Sequence, residues 1–586
     1  MDTAPTTGPD ASPATDRPLR LAAIDVGSNS IRLLIAERDD EGGYRVLDEE
    51  KVSPRLGHAL TETGMIAPDR LEEAIGAVER MKQIAIGYGV AEVRVIATSA
   101  VREASNGHEF VAGVQRLSNL RTEVIGHEDE GRLAHKSVAA AFDVRRLSFA
   151  VADIGGGSTE VVFSRGGAVE KVVGLKLGAV RVADMFGGRN ASDPETFDQM
   201  RQYLKGAIEA AVGKMPLKPK TLFGTGGTYS ALASMQQARD GAATESVQGH
   251  RMGRDRVARI LERTRAALHK GSNVHGLNKD RYDIILPGAA IVEALMDTLG
   301  VEELVVHDRG IRDGLMLSML ESHSDHSVAG YGVKNHSSAT GTTATTTTAT
   351  RMTLGSRAEA VRRFARKCRY HEAHSEHVTQ LALEIFDQLA EQLPGVATQL
   401  AERHPGHPLA VDHQTAMDAE GRGVLEAAGV LHDIGYLVNH SSHHKHSYYI
   451  IANGELDGFS PRERELIANV ARYHRRSHPK GSHQPYKALD SHDRTIVRRL
   501  AGILRVADGL DRTHTQVVDR VSVRVEPSDG SEHPSTPTST AVFTVESPSD
   551  VSTNIWGAER KSELFSLAFG VGCVFDVGGV AMGNGQ

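Results

Sequence analysis

The sequence predicts an α/β fold of two duplicated halves, followed by a separate helical region and a small α+β segment. Three observations carry this expectation. Asp25-Val-Gly-Ser-Asn-Ser-Ile-Arg-Leu-Leu-Ile35 aligns position by position with Asp153-Ile-Gly-Gly-Gly-Ser-Thr-Glu-Val-Val-Phe163. A repeat this far apart is too long for a solenoid and reads as two half-domains facing each other. Strand-like and helix-like stretches alternate from residue 20 to about 323, the pattern of βαβ units. Beyond the low-complexity run Gly341-Thr-Thr-Ala-Thr-Thr-Thr-Thr-Ala-Thr350 the character changes, and 16 of the 28 histidines fall between 371 and 514.

Length and composition bound the rest. A chain of 586 residues holds roughly three or four domains. Apolar content of 40% with 24% charge fits an ordinary globular protein. With a net charge of −8 there is no global attraction to polyanions, so nucleic acid is not an expected partner. A phosphate-rich substrate must instead be captured by local arginines and lysines. Cys368 and Cys573 give no disulfide framework and fit a reducing, cytoplasmic compartment. No apolar run is long enough to span a bilayer, so a membrane is not expected either. A GxxxxGK[ST] phosphate loop is absent, which argues against that class of NTPase.

In order, residues 1–19 read as a disordered tail, 20–143 and 144–323 as the two halves, and 324–355 as a Thr-rich linker. Residues 356–518 read as the helical domain and 519–586 as a small α+β cap. In the first half, residues 20–37 and 43–54 are strands, and Leu71, Ile75, Val78, Met81 and Ile84 mark a helix over 69–88. Val93–Ala97 is a strand with Arg102 just past its carboxyl end, where ligands of open α/β sheets bind. Gly126 opens a helix on which Glu130 shares the apolar face of Leu133 and Ala134, while Glu128 and Asp129 point outward. Placement at a helix N-terminus explains the outward pair. Partial burial of Glu130 would raise its pKa toward that of a useful general base.

In the second half, Phe149–Ala152 and Val161–Phe163 are strands around the Asp153–Glu160 turn. Glycines there would free the backbone to bring N–H groups to an oxyanion, with Asp153 organising a cation; a plain glycine hairpin is the competing reading. The two turns offer Ser28, Asn29, Ser30, Gly155, Gly156, Gly157, Ser158 and Thr159 to phosphate. A third turn, Gly224-Thr-Gly-Gly-Thr228, adds Gly226 and Gly227 at a helix N-terminus. Gly178-Ala-Val-Arg181 opens another helix and offers Arg181 to an anion. Helical patterning over 195–213, 253–269 and 283–298, a strand at Val301–Val306 and a helix Ile311–Leu320 complete this region.

In the helical domain, His374 shares one face with Val378, Leu381, Ala382, Ile385 and Leu389, so it points inward. His432 and Asp433 sit together on an apolar helix ending at Gly435, and Asp508 lies on the apolar Leu504–Leu510 helix. A lone inward histidine is usually a satisfied core residue; this combination of N and O donors favours a metal site instead. His443, His444, His446 and His474 follow without an assigned role. Alternating strands at Val521–Val525 and Ala541–Val545 and a helix near Trp556–Phe569 make up the cap.

The motifs Asp25–Ser30, Arg55-Leu-Gly57, Ala97–Arg102, Glu130-Gly-Arg-Leu133, Asp153–Glu160, Gly178–Arg181 and Gly224–Thr228 together resemble the Ppx/GppA (exopolyphosphatase/guanosine pentaphosphate phosphohydrolase) family. The resemblance implies an actin-like ATPase (ribonuclease H-like) fold of two βββαβαβα-type halves with the site between them. It also implies hydrolysis of terminal phosphoanhydrides with a divalent cation, Mg2+ or Mn2+, in the cleft. Glu130 then corresponds to the base that activates water, Asp153 and Glu160 to the metal-organising acids, and Asn29, Arg102, Gly155 and Ser158 to phosphate contacts. Gly131 stands where the family commonly has Ala, and His127 where Gly is usual. Residues 356–520 resemble an HD domain, with His374, His432, Asp433 and Asp508 at its ligand positions, which implies a second divalent metal. The leading expectation is a cytoplasmic, homodimeric exopolyphosphatase acting processively on inorganic polyphosphate. The alternatives are conversion of pppGpp to ppGpp, or a phosphate-sensing unit coupled to an HD-domain phosphohydrolase.

Overall fold

The structure, a computed structural model, describes residues 18–39, 43–241, 246–327, 357–403, 407–412, 414–527 and 539–578. They fall into two compact units divided near residue 333. Most of the expected tail and linker, residues 1–17 and 328–355, lies outside the described residues. No helix among the described residues is long and apolar enough to cross a membrane.

The first unit contains two sheets with one topology. In the first, β1 (Arg20–Val26), β2 (Ile31–Arg38), β3 (Tyr44–Val52), β4 (Glu92–Ala97) and β5 (Thr122–Val124) run in the order β3-β2-β1-β4-β5. In the second, β6 (Ser148–Ile154), β7 (Thr159–Arg165), β8 (Ala168–Leu175), β9 (Thr221–Thr225), β10 (Arg251–Gly253) and β11 (Glu303–His307) run β8-β7-β6-β9-β11-β10. In each, the first three strands form an antiparallel meander and the next two join in parallel. The stretch 20–37 is thus two strands of a hairpin, one on each side of the Asp25 turn. β10 is an added antiparallel edge.

The duplication extends to irregularities. Gly27 N–H donates to Ser30 O at 3.1 Å, and Gly155 N–H to Ser158 O at 3.0 Å. The meanders shift register at corresponding places, Ile35/Ala36 and Phe163/Ser164. β1 and β6 bury Leu21–Ile24 and Phe149–Ala152 without alternation, as strands covered on both faces must.

The two halves share a helical layer. Helix His127–Ala141 lies on β6, β7 and β8 and against helix Ile311–Ser327, which in turn lies on β1 and β2. Leu21, Ala23, Ala134, Val138, Phe149, Val151, Leu315 and Met316 accordingly form part of one core. Helix Ile285–Leu299 is buried almost all round, beneath the other face of the second sheet.

The second unit is built on helices Arg357–Lys367, Glu372–Arg403, Ala419–Leu431, His443–Asn453, Pro461–Arg472 and Ser491–Leu510. A sheet of β12 (Arg520–Pro527), β13 (Ser539–Glu546) and β14 (Gly572–Val577) completes it, in that order. The expected helix near Trp556–Phe569 is two helices, Ser552–Lys561 and Glu563–Phe569, parted at Ser562. The sheet shares the helices' core, which runs from Val361 to Val571. Its β12 edge is closed by side chains rather than another strand. Gln388 accepts from Val523 N–H (2.9 Å) and donates to Val521 O (2.9 Å). Gln392 donates to Val523 O (2.8 Å), and Glu384 accepts from Val521 N–H (3.1 Å). Residues 384, 388 and 392 recur one helical turn apart, so a single helix face supplies the ladder.

Candidate active site

The two glycine–hydroxyl turns meet. A Cβ on Gly157 would stand 2.3 Å from Ser99 Oγ and 2.8 Å from Ser28 Oγ, and one on Gly156 would stand 3.0 Å from Ser28 Cβ. Gly155, Gly156 and Gly157 are absent from the left-handed backbone region, contrary to the expectation of unusual dihedrals. Their role is the missing side chain, which lets one turn press on the other. At the third turn Gly226 does need its freedom: φ is +99°, and a Cβ would lie 2.7 Å from Ile154 O. Thr225 Oγ1 donates to Asp153 Oδ1 at 2.5 Å, tying this turn to the strand end.

Four carboxylates gather here. Asp153 and Glu160 are register partners across β6 and β7, and Asp25 and Arg32 are partners at the same place in the first sheet. Glu130, Asp153 and Glu160 are buried, whereas Glu128 and Asp129 are exposed, as the helix periodicity requires. Burial, then the Glu160 charge, pushes Glu130 up to about 8, against the pull of Arg102. Burial and Asp153 push Glu160 up to about 8. Burial also raises Asp153, and raises Asp25 to about 6 despite Arg32 and Arg312. Asp25 Oδ1 is buried without a hydrogen-bond partner. His127, Glu130 and Glu160 offer ligand atoms within 4.8 Å of one another. Mutually repelling acids, an orphaned carboxylate oxygen and one imidazole are a donor set that fits a divalent cation.

Several expected phosphate contacts are otherwise engaged. Arg102 pairs with Glu130 and donates to Ile125 O (2.7 Å), with its side chain 20% exposed. The Ser158 hydroxyl bonds Glu160. Thr159 is fully buried and donates its hydroxyl to Leu177 O, which removes it as a phosphate contact. Arg181 is not presented to an anion. It donates to Gly157 O (2.8 Å) and pairs with Glu103 (2.7 Å), bracing the turn. The helix that Gly178 opens gives its first N–H groups to Gly155 O and Gly156 O. Asn29 lines a neighbouring pocket of about 340 Å3, together with Arg55, His58, Glu62, Asp184 and Asp283.

Some participants were not foreseen. His127 Nδ1 lies 2.7 Å from Glu160 Oε1, and its ring occupies the space over Gly174. The charge of Arg32 acts on both Asp25 and Asp153, opposing the rise that burial gives each of them. Arg281 lies on Gly227, where a Cβ would meet its guanidinium at 2.5 Å, and its Nε has no partner. The aligned repeat held the Arg32 signal, since Arg32 occupies the place of Glu160; nothing local marked Arg281.

In the second unit, His374, His432, Asp433 and Asp508 converge although they come from distant helices. His374 Nε2 is 3.8 Å from both Asp433 Oδ2 and Asp508 Oδ1, and His432 Nε2 is 3.4 Å from Asp433 Oδ2. His432 caps its helix and Asp433 follows it, so the pair sits at the helix end rather than within it.

The geometry defines a class: a duplicated α/β protein whose strand-end turns meet over buried acids. Residues 34–323 match the Ppx/GppA phosphatase family, and residues 356–533 match Ppx/GppA phosphatase, domain III. The chain belongs to the Ppx/GppA phosphatase family. Among curated relatives, a guanosine-5'-triphosphate,3'-diphosphate pyrophosphatase of Aeromonas hydrophila is 25% identical over 502 residues, 84% of this chain and 88% of that one. A like-named protein of Pseudoalteromonas atlantica is 24% identical over 511 residues, 87% and 90% of the two chains. Among solved structures, the Aquifex aeolicus family member is 28% identical, covers 52% of this chain and 98% of its own, and has a TM-score of 0.46. An exopolyphosphatase from Cytophaga hutchinsonii is 22% identical, with 52% and 98% coverage and a TM-score of 0.48.

Proposed function

We propose that the cleft of the first unit hydrolyses the terminal phosphoanhydride of a linear phosphate chain and releases orthophosphate. The observation that carries this reading is the meeting of two glycine–hydroxyl turns over Asp25, Glu130, Asp153 and Glu160. The water oxygen bonds the terminal phosphorus, the bridging P–O bond breaks, and Glu130 accepts the water proton. Arg102, paired with Glu130, favours the ionised carboxylate that a base must be. His127 sits against Glu160 and fixes that side chain's direction. Arg281 beside Gly227 and the backbone N–H groups of the turns offer charge and donors to phosphate oxygens. Asp153 and Glu160 are the residues that would hold Mg2+ or Mn2+, which would supply positive charge to the transferred phosphoryl group.

The sequence places inorganic polyphosphate first as substrate. A second reading, removal of the 5'-terminal phosphate of pppGpp, is favoured by the pocket beside Asn29. Glu62, Asp184 and Asp283 line it, and its basic side chains are already engaged: Arg55 with Asp283 at 2.9 Å, His58 with Asp184 at 3.5 Å. Such a lining repels a polyanion, whereas a carboxylate accepts from the N1–H and N2–H2 donors of guanine. The two curated relatives, both guanosine-5'-triphosphate,3'-diphosphate pyrophosphatases, point the same way. Parallel kinetics on polyphosphate and pppGpp, with Asp184→Asn alongside wild type, tests both. A guanine site predicts that Asp184→Asn loses pppGpp turnover and keeps polyphosphate turnover. Glu130→Gln is expected to lose about 10²–10⁴-fold in phosphate release on either substrate. Full activity in Glu130→Gln, with loss in His432→Ala and Asp433→Ala, would move the reaction to the helical unit, read here as HD-type, and leave the cleft a sensor.

A further inference from the structure

Helix His127–Ala141 begins at the cleft, and its first turn is docked closely on the second sheet. His127 and Gly131 stand one helical turn apart and share a face, which lies on β7 and β8. A Cβ on Gly131 would stand 2.7 Å from Val172 Cγ1, 3.0 Å from Val162 Cγ2 and 3.7 Å from Glu160 Cβ. The strand side is cut away in the same manner. Gly174 is the register partner of Glu160 across β7 and β8, and a Cβ there would stand 2.4 Å from His127 Cγ and 2.5 Å from its Cβ. Two missing side chains, one on the helix and one on the strand, thus make a seat for the imidazole beside Glu160. Positions 127 and 131 are also the two at which the sequence departs from the residues usual in the family.

The seated ring adds a donor of a different kind from the acids. Its Nδ1 lies 2.7 Å from Glu160 Oε1, and His127, Glu130 and Glu160 offer ligand atoms within 4.8 Å of one another. Arg102 Nη2 lies at the same 3.3 Å from Nδ1 and Nε2, which places it over the ring's face and off the axis of either lone pair. Glu130 and Glu160 are 2% and 1% exposed, whereas the His127 side chain is 30% exposed and gives the group an open side. A prop for Glu160 would need only an N–H. Two buried acids converging on an imidazole need more, since their charges repel unless a cation lies among them. Carboxylates alone are the donors of Mg2+, which takes oxygen ligands and keeps its waters. An imidazole moves the set toward first-row transition ions.

We propose that His127 is a nitrogen ligand of the cation in the cleft, and that it makes the cleft prefer a first-row transition ion such as Mn2+, Co2+ or Zn2+ to Mg2+. The inference rests on the cation site of the proposed function and goes beyond it by naming the residue that chooses the ion. Gly131 and Gly174 are positioning residues. They let the helix and the ring come down on Glu160, and they touch no ion. Glycine at position 127 would leave the same acids in place without the preference. Loss of a partner that only supports a metal ligand costs about 10–100-fold in affinity, and loss of the ligand itself costs no less.

The test is competition between Mn2+ and Mg2+ for the full-length protein, followed by the free Mn2+ electron paramagnetic resonance. Electron spin-echo modulation from directly bound nitrogen is read on the same samples. The cleft ion is the equivalent that Glu160→Gln loses, which separates it from an ion held by the second unit. In wild type that ion should show nitrogen modulation, with Mn2+ bound at least about tenfold more tightly than Mg2+. His127→Gln keeps an N–H for Glu160 but has no imidazole. It and His127→Gly should lose the modulation and at least about tenfold in Mn2+ affinity, with Mg2+ affinity changed by less than about threefold. Unchanged modulation or an unchanged preference in these variants would overturn the proposal and make His127 a prop. Equal Mn2+ binding by wild type and Glu160→Gln would overturn it together with the cation site itself. Absence of phosphate release with the binding results intact would remove hydrolysis alone. Should the His127 variants fail to fold by circular dichroism, the modulation that wild type has and Glu160→Gln lacks decides the matter.

Discussion

Glu160→Gln in the metal-free protein is the sharpest test of the electrostatics of the cleft. Glu130 and Glu160 are each pushed from 4.5 up to about 8, first by burial and then by the charge of a neighbouring acid. A carboxyl whose folded pKa exceeds its unfolded value binds more protons when folded. Its contribution is therefore whole below about pH 4.5 and lost as pH rises to about 8. A shift of this size corresponds to at most about 5 kcal/mol per group. The two acids titrate against each other and Arg102 screens Glu130, so about 3 kcal/mol in total is the working figure. For a unit of this size that is roughly 5–10 °C in melting temperature. Scanning calorimetry after chelation should show the first unit's transition falling between pH 5 and 8.5, and Mg2+ should restore it. In Glu160→Gln the slope should drop by half or more, because Glu130 loses the neighbour that raises it. A wild-type transition flat with pH, or an unchanged slope in the variant, would refute this account of the site.

Gly157→Ala should fold yet lose at least about 10²-fold in activity, because a Cβ at 2.3 Å from Ser99 Oγ forces the turns apart and misplaces reacting groups; steady-state kinetics beside a melting curve checks it. Gly131→Ala should gain nothing from helix propensity, worth about 1 kcal/mol. Its Cβ would stand 2.7 Å from Val172 Cγ1 and 3.0 Å from Val162 Cγ2, and overpacking of that kind costs about 1–3 kcal/mol. Urea titration should find the variant destabilised by about 1 kcal/mol, and a stabilised variant would contradict the close packing. Gln388→Leu should cost about 2–3 kcal/mol by orphaning the Val523 N–H and Val521 carbonyl, read as a lower urea midpoint of the second unit.

Much of what depended on local pattern was legible in the sequence, although the helix Gly107–Ser118 and the strand Ala168–Leu175 were not among the expected elements. Strand runs, the inward turn of Glu130 and the inward face of His374 follow from periods of two and 3.6, which a sequence displays directly. The repeat showed two turns but not why they contain glycine; that answer lies in Ser28 and Ser99, residues distant in the chain from Gly157. Arg181 looked like an anion ligand because its partners, Glu103 and Gly157 O, are tertiary. The placement of helix His127–Ala141 on the opposite sheet is likewise non-local. His443 and His474 had no mark of their own among so many histidines, since only Asp433 brings them together.

Under the proposed function, the duplicated turns also give a reason for the chemistry to fall on one side of the cleft. The backbone copies agree down to the turn hydrogen bond and the strand irregularity, so the halves began alike in geometry. They differ in what faces the conserved-in-place aspartate. Asp25 has Arg32 across the hairpin, and Asp153 has Glu160. In the first half the partner is a cation that pulls Asp25 down against burial; in the second it is an acid whose charge the site must neutralise. Glu130 reaches the acidic side because its helix crosses to β6, β7 and β8. The second jaw thereby gathers Glu130, Asp153 and Glu160, the base and the cation-holding acids of the proposed reaction, while the first supplies a turn and Arg32. Exchanging the two, Arg32→Glu with Glu160→Arg, should leave both turns in place and abolish phosphate release, since the base would then face an arginine instead of a cation site; retained activity would show that the asymmetry does not direct the reaction.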